Sequence, residues 1–440
     1  MNIAVAKPDK PDTASDNFAA VSARVPGAGK VADIRRQALD TFQRIGLPHR
    51  RIEDWKYTDL RALMREVLPL AAAPEATALA RAEAAAKLHA IDGVRRLVLV
   101  DGMLAPGLSD LAGLEAGLSI RSLREALQAG DDRVLSLDTA DPMVALNTAL
   151  MTDGVVIEVA DGTALARPLH ILHIASGGAP AAMFTRSRIA LGNAAVATVV
   201  ESYVAGEGAS AYQVHDSAVI SVGDHARLDH LRIVEDSREA FNITSAAVSV
   251  GAHAHFNAFG ITTGGLVSRY QAVVTVAGSH SEVQTNGVNL LNGKQHADTT
   301  LVMNHDVPHC ASREGFRAVV DDRGHSVFQG RINVRQPAQQ TDAKMMTRAL
   351  LLSDEAEVDN KPELEIFADD VTCGHGAAVG ALDDSLLFYL RARGLPQKEA
   401  EAMLIQAFVG EAIEAIEAIA DDNLRELVTA AAVRWLEARQ

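Results

Sequence analysis

The sequence predicts a mainly β protein with a β-solenoid at its centre and helical regions on either side. Three observations carry this. Residues 155–380 are short runs of Val, Ile, Thr and Ala punctuated by Gly, Asn and Asp, the texture of turn-bounded strands. Within them the pattern G-x-x-[A/S]-x-apolar recurs as GNAAVA at Gly192, GDHARL at Gly223, GAHAHF at Gly251 and GSHSEV at Gly278, at spacings of 31, 28 and 27 residues, with a weaker echo, SDEAEV, at Ser353. The flanking stretches, 31–150 and 383–440, carry helical periodicity instead. A near-constant period of this length marks stacked units that each bury an apolar face only against their neighbours. A β-sandwich would also have short strands, but nothing in a sandwich demands the period.

The elements follow in order. Residues 1–30, rich in Pro, Ala, Asp and Gly, are expected to be a disordered tail. GAGK at 27–30 is not a phosphate loop, because Val31 follows it and Arg24 stands where the first Gly should be. Over 31–150 the region should be mainly helical. Val31, Ile34, Ala38, Phe42 and Ile45 share one stripe that Gly46 and Pro48 stop, a second helical patch follows Asp54, and 72–90 is Ala-rich. The solenoid is expected over 151–382, with Gly at its corners and small residues stacked inside. The region 383–440 opens on an Asp383 cap and a helix ended by Gly394. Pro396 then starts a helix with a stripe of Ala400, Met403, Leu404, Ala407 and Phe408, continued by Ile413, Ile416 and Ile419. That apolar face exceeds what a short hairpin buries alone, so it should dock on the solenoid or on a partner.

Composition excludes several classes. The 440 residues carry 41 basic and 57 acidic side chains, a net charge of −16, which argues against nucleic acid or an acidic membrane surface as a partner. No run reaches the ~18 apolar residues of a membrane span, and the N-terminus lacks an apolar leader core. Two cysteines, Cys310 and Cys373, make no disulfide framework and no CxxC pair. A reducing, cytoplasmic setting is expected. Hydrophobic residues are 48% and aromatic residues only 4%, so the core should be built of small-residue layers.

The familiar catalytic patterns GxSxG, HExxH and GxGxxG are missing. Thirteen of the 15 histidines fall between His170 and His375, and most should be half-exposed surface residues. The exception is Cys373-Gly374-His375. On a strand, residues two apart face the same way, so a thiol and an imidazole project together between glycines. That pair suits iron, copper(I) or sulfide, and its missing ligands would come from elsewhere in the chain, a second subunit or a bound species. A buried structural Cys beside a satisfied His is the alternative. A Cys/His nucleophile is disfavoured by a separation of roughly 6–7 Å along a strand. The acidic run EVDNKPELEIFADD could line a carbohydrate cleft or simply be a solvated corner.

Several stretches resemble the SufB/SufD family of iron–sulfur cluster assembly scaffolds, and its SufD branch in particular. They are LPHRRIEDWKYTDLR at 47–61, SREGFRAVVDDRGHSVFQGRINV at 312–334 and the long block from TDAKMM to RARGL at 341–395. The resemblance runs from about residue 30 to the C-terminus. It implies a central right-handed parallel β-helix between helical regions, pairing with SufB, and one copy of the ATPase SufC held by the C-terminal helical domain. Phe388, Tyr389, Leu390, Arg391, Arg393 and Gly394 are the expected SufC contacts. Cys373 and His375 match the Cys-x-His at the SufB interface, where the nascent cluster forms with SufB supplying the main cysteine. By the same resemblance the chain is not an enzyme and has no catalytic residue, and ATP hydrolysis belongs to SufC. It holds no tight cofactor, only a transient cluster or iron at that interface. With just two cysteines the chain is closer to SufD than to SufB. The rival readings are a stand-alone homodimeric β-helix interaction protein and a β-helical polysaccharide-active enzyme.

Overall fold

The computed structural model describes residues 21, 24–135, 141–414 and 422–439. Most of the expected tail over 1–30, and Ile416 and Ile419, lie outside these. The end of the tail is held in place: Arg24 donates to the Leu70 carbonyl at 3.2 Å, and Pro26 accepts from Arg35.

The solenoid is a pair of facing sheets with two strands per turn and about eight turns. One sheet holds β4 (Val155–Val159), β6 (Ala182–Leu191), β8 (Gln213–Val222), β10 (Phe241–Val250), β12 (Val267–Val276), β14 (His296–His305), β16 (His325–Val334) and β18 (Glu357–Ile366). The other holds β5 (Leu169–Ala175), β7 (Val196–Ala205), β9 (Arg227–Glu235), β11 (His255–Thr262), β13 (Glu282–Leu291), β15 (Ala311–Val320), β17 (Asp342–Leu351) and β19 (Thr372–Gly380). All these pairings are parallel, and the turn length runs from 26 residues, Phe241 to Val267, to 32, His325 to Glu357. Apolar side chains at alternate positions, among them Ile171, Ile189, Ile220, Val248, Val274, Met303 and Ile332, fill the space between the sheets.

The repeated glycines sit where one corner lies directly on the next. A Cβ on Gly223 would stand 2.7 Å from the Gly192 backbone, and one on Gly278 would stand 1.9 Å from the Ala252 nitrogen. The third residue of each repeat takes the left-handed conformation, at Ala194, His225, His253 and His280, and the corner continues through His309 and Gln340. His is among the residues that tolerate it. His225, His253, His280 and His309 are thereby stacked ring on ring at 4.8–4.9 Å, an exposed ladder along one corner. Ser353 belongs to the opposite corner, between β17 and β18, so its echo of the repeat is not in register with the four.

The region before the solenoid contains helices α1 (Lys30–Ile45), α2 (Leu60–Leu63), α3 (Ala76–Leu88), α4 (Leu123–Gln128) and α5 (Pro142–Leu150). It also contains strands β1 (Arg95–Val100), β2 (Met103–Leu104) and β3 (Leu118–Ser122), which begin the two sheets. Helix α3 covers Val98, Leu172 and Ile174 with its alanines. The buried face of α1 is Val31, Arg35, Leu39 and Phe42. Arg35 takes the inward position because it donates to the carbonyls of Thr148, Ala149 and Met151, the free end of α5.

After the solenoid come α6 (Asp384–Ala392), α7 (Gln397–Glu414) and α8 (Asp422–Arg439). Asp383 caps α6 through the amides of Ser385 and Leu386. Helices α7 and α8 dock on the outer face of the second sheet, where Ile405, Val409, Val428 and Trp435 meet Leu231, Phe259, Val288 and Val319. The inward face of α7 is therefore Ala400, Ile405, Val409, Ala412 and Ile413, while Met403 and Ala407 of the expected stripe are exposed. Among the described residues no helix is long and apolar enough to cross a membrane.

Candidate functional site

Among the described residues no strand pairs with the outer edges of the solenoid's last turn. Strands β18 and β19 are the edge strands of the two sheets at the same end, each paired on one side only. An edge of nine or ten residues is a template for another chain unless charge, proline or a bulge blunts it. Strand β18 is blunted by Pro362 and by Glu357, Lys361, Glu363 and Glu365. Strand β19, TCGHGAAVG, carries no Pro and no Asp, Glu, Lys or Arg. A Cβ on Gly374 or Gly380 would meet nothing, so another backbone can come close there.

On this edge Cys373 lies beside Ala343 of β17, and His375 beside Met345. Both belong to the alternating set that faces between the sheets. Cys373 is partly buried against the core and His375 is exposed. Burial pushes the Cys373 thiol above its usual range, and Asp342 and Glu314 add to that against the Ala343 amide. That favours the neutral thiol over the thiolate. Cys310 is different in kind: it is 2% exposed in the interior, against the carbonyls of Pro308 and Gly278.

Directly beneath His375 in the stack lie Met345 and then Glu314. Glu314 is 2% exposed, neither oxygen has a hydrogen bond of normal geometry, and burial drives its carboxyl up to about 8. Sequence reasoning missed it, because a Glu in SREGF reads as surface; the inward parity it shares with Phe316 was the available signal.

Helix α6 has no buried residue at all. Phe388 is 74% exposed and Tyr389 55%, with Arg393 over the Tyr389 ring at 5.0 Å. Leu390 is half-buried, and Arg391, Arg393 and Gly394 are exposed. Met346, Ile366, Phe367, Val379, Leu386 and Met403 are exposed too, so eight large apolar side chains gather in the last two turns and the helices after them.

The family model described as "SUF system FeS cluster assembly, SufBD core domain" matches residues 173–408, and the one for the SufBD N-terminal region matches 25–171. The chain belongs to the SufBD family. The core match takes in the solenoid from β5 onward, Cys373, His375 and all of α6. The iron–sulfur cluster assembly protein SufD of Escherichia coli is 34% identical over 398 residues, 90% of each chain. A SufBD family cluster assembly protein of Synechocystis is 30% identical over 397 residues, 87% of this chain and 86% of its own. One from Mycobacterium tuberculosis is 30% identical over 230 residues, 50% of this chain and 57% of that one. This is thus a SufD-type protein of iron–sulfur cluster assembly.

The acidic run of 357–370 is tied up in pairs within this SufD-type fold. Asp359 meets His325, Glu363 meets Arg331 and Lys361, and Glu365 meets Arg331. Four solenoid histidines form the exposed corner ladder, and six others, His170, His173, His215, His230, His296 and His305, are buried where a half-exposed surface position was expected; His255 and His375 are exposed and His325 is half-buried.

Proposed function

We propose that this chain is the scaffold subunit that pairs with a SufB-type partner along β18 and β19. Helix α6 and the turn after it, Phe388 to Gly394, hold a SufC-type ATPase, and His375 with Cys373 faces the iron and sulfide of a nascent cluster. The observation that carries the reading is the open β19 edge, which brings a thiol and an imidazole together on one face of an otherwise featureless, glycine-rich strand.

The chemistry follows from those two groups. A neutral imidazole offers its lone pair to ferrous iron directly, whereas Cys373 must lose a proton, which the metal's own charge drives. Two ligands leave a tetrahedral iron open at two positions, for sulfide or for the partner's side chains. The cluster is cargo that leaves, and the subunit performs no bond chemistry of its own. ATP hydrolysis falls to the SufC-type partner, whose rearrangement would pull on α6 and shift the interface between two states. Free thiols suit a reducing cytoplasm. A second copy of the chain could occupy the same edge in the absence of the partner, since a twofold interface uses one surface twice.

His375→Ala in the assembled complex tests the proposal. Folding and complex formation should persist while the yield of assembled cluster falls several-fold; an unchanged yield would remove His375 from the mechanism.

A further inference from the structure

Among the described residues, one trio of metal-competent side chains brings its ligand atoms within 4.8 Å of one another: His173, Glu201 and Asp216. It lies inside the first three turns of the solenoid. In the second sheet, β7 to β19 is six strand spacings, about 29 Å from the cluster edge. His173 comes from β5 and Glu201 from β7 of that sheet, and Asp216 comes from β8 of the facing one. All three point inward and are 7%, 2% and 3% exposed.

The trio is unfinished as a hydrogen-bond network. Among the described residues, His173 Nε2 and Glu201 Oε1 are buried with no hydrogen-bond partner, and an orphaned buried polar atom costs about 1–3 kcal/mol. Other atoms around the trio are fixed. Asp216 accepts from Tyr203 Oη at 2.8 Å and Thr185 Oγ1 at 2.5 Å, and the other Glu201 oxygen meets His230 Nε2 at 3.1 Å. The Tyr203 ring stacks on the His173 ring at 4.5 Å. Such contacts hold ligands in orientation around an ion. Arg232, whose charge reaches Glu201, donates its hydrogen bonds to Asn242 and Thr244. A cavity of about 10 Å³, lined by His173, Thr185 and Asp236 among others, touches the trio at His173 alone, and it has room for roughly one water.

We propose that His173, Glu201 and Asp216 form a buried site for one divalent first-row transition metal ion, of the ferrous, manganous or zinc class. One imidazole and two carboxylates are a borderline-hard donor set that suits these ions over copper(I) or calcium. The ion joins the two sheets across the interior near the start of the solenoid and satisfies both orphaned atoms. It is separate from the cluster edge and does not depend on that edge's role.

The test uses the full-length chain with Cys373→Ser and His375→Ala, so that the edge contributes no metal, grown with added Fe(II), Mn(II) or Zn(II) and dialysed against a chelator. Stoichiometric retained metal, lost in a further Glu201→Gln or His173→Gln variant, is the expected result. Metal-free protein from all three cultures overturns the site. Since those variants could disturb folding, anomalous diffraction from crystals of the unmutated chain grown with Zn(II) gives an independent answer. A peak between His173, Glu201 and Asp216 supports the site; peaks confined to the exposed histidine ladder or to Cys373 and His375 overturn it.

Discussion

Glu314 offers a quantitative test of how the interior is built beneath the cluster edge. Its ordinary value is 4.5, and burial raises it to about 8 in the folded chain. A carboxyl raised on folding holds its proton more tightly in the native state, so its contribution is full below about 4.5. It is lost as pH climbs and is gone above about 8. At about 1.4 kcal/mol per pH unit the whole loss is about 5 kcal/mol, a large part of a typical domain's stability. Glu314→Gln keeps the shape and cannot ionise. Urea unfolding of both proteins from pH 5 to pH 9 measures the difference. The variant should gain on the wild type steadily up to about pH 8 and then run parallel to it. Curves that are parallel throughout would show that Glu314 ionises freely in the folded chain and that the interior there is wet.

Other consequences can be checked individually. Gly278→Ala puts a Cβ 1.9 Å from the Ala252 nitrogen and should cost about 1–3 kcal/mol, seen as a lowered Tm, whereas Gly260→Ala meets nothing within 4 Å and should be nearly silent. Phe388→Asp with Tyr389→Asp should leave the Tm unchanged, because α6 buries no residue, while abolishing capture of a SufC-type partner in a pull-down. If Cys373 gains a thiolate only through iron, its alkylation at pH 7 should be slow in the metal-free chain, since burial holds the thiol up.

The architecture was legible because a solenoid writes itself into the sequence. Corners stacked backbone to backbone require the same small residue every turn, and Gly192, Gly223, Gly251 and Gly278 record that requirement. Asp383 and Gly394 likewise mark the bounds of α6 by local chemistry. What stayed hidden depends on tertiary partners. Arg35 reads as a surface residue until the carbonyls of α5 are opposite it, and Ile405 faces inward because the sheet lies on that side of α7. The strands β1 to β3 are short and join the sheets through β5 and β4, so a region of helical texture conceals them. Cys373 and His375 were legible as a pair by strand parity alone. Glu314 and the trio of His173, Glu201 and Asp216 were not, because polar residues inside a solenoid look like the solvent face of the same strands.

The open end of the solenoid, in the proposed function, is an assembly surface. Native mass spectrometry of this chain co-expressed with the SufB-type and SufC-type proteins of its own genome tests it most directly. A complex of one copy of this chain, one SufB and two SufC is the expected result. A chain that remains a homodimer or a monomer with no affinity for either would contradict it.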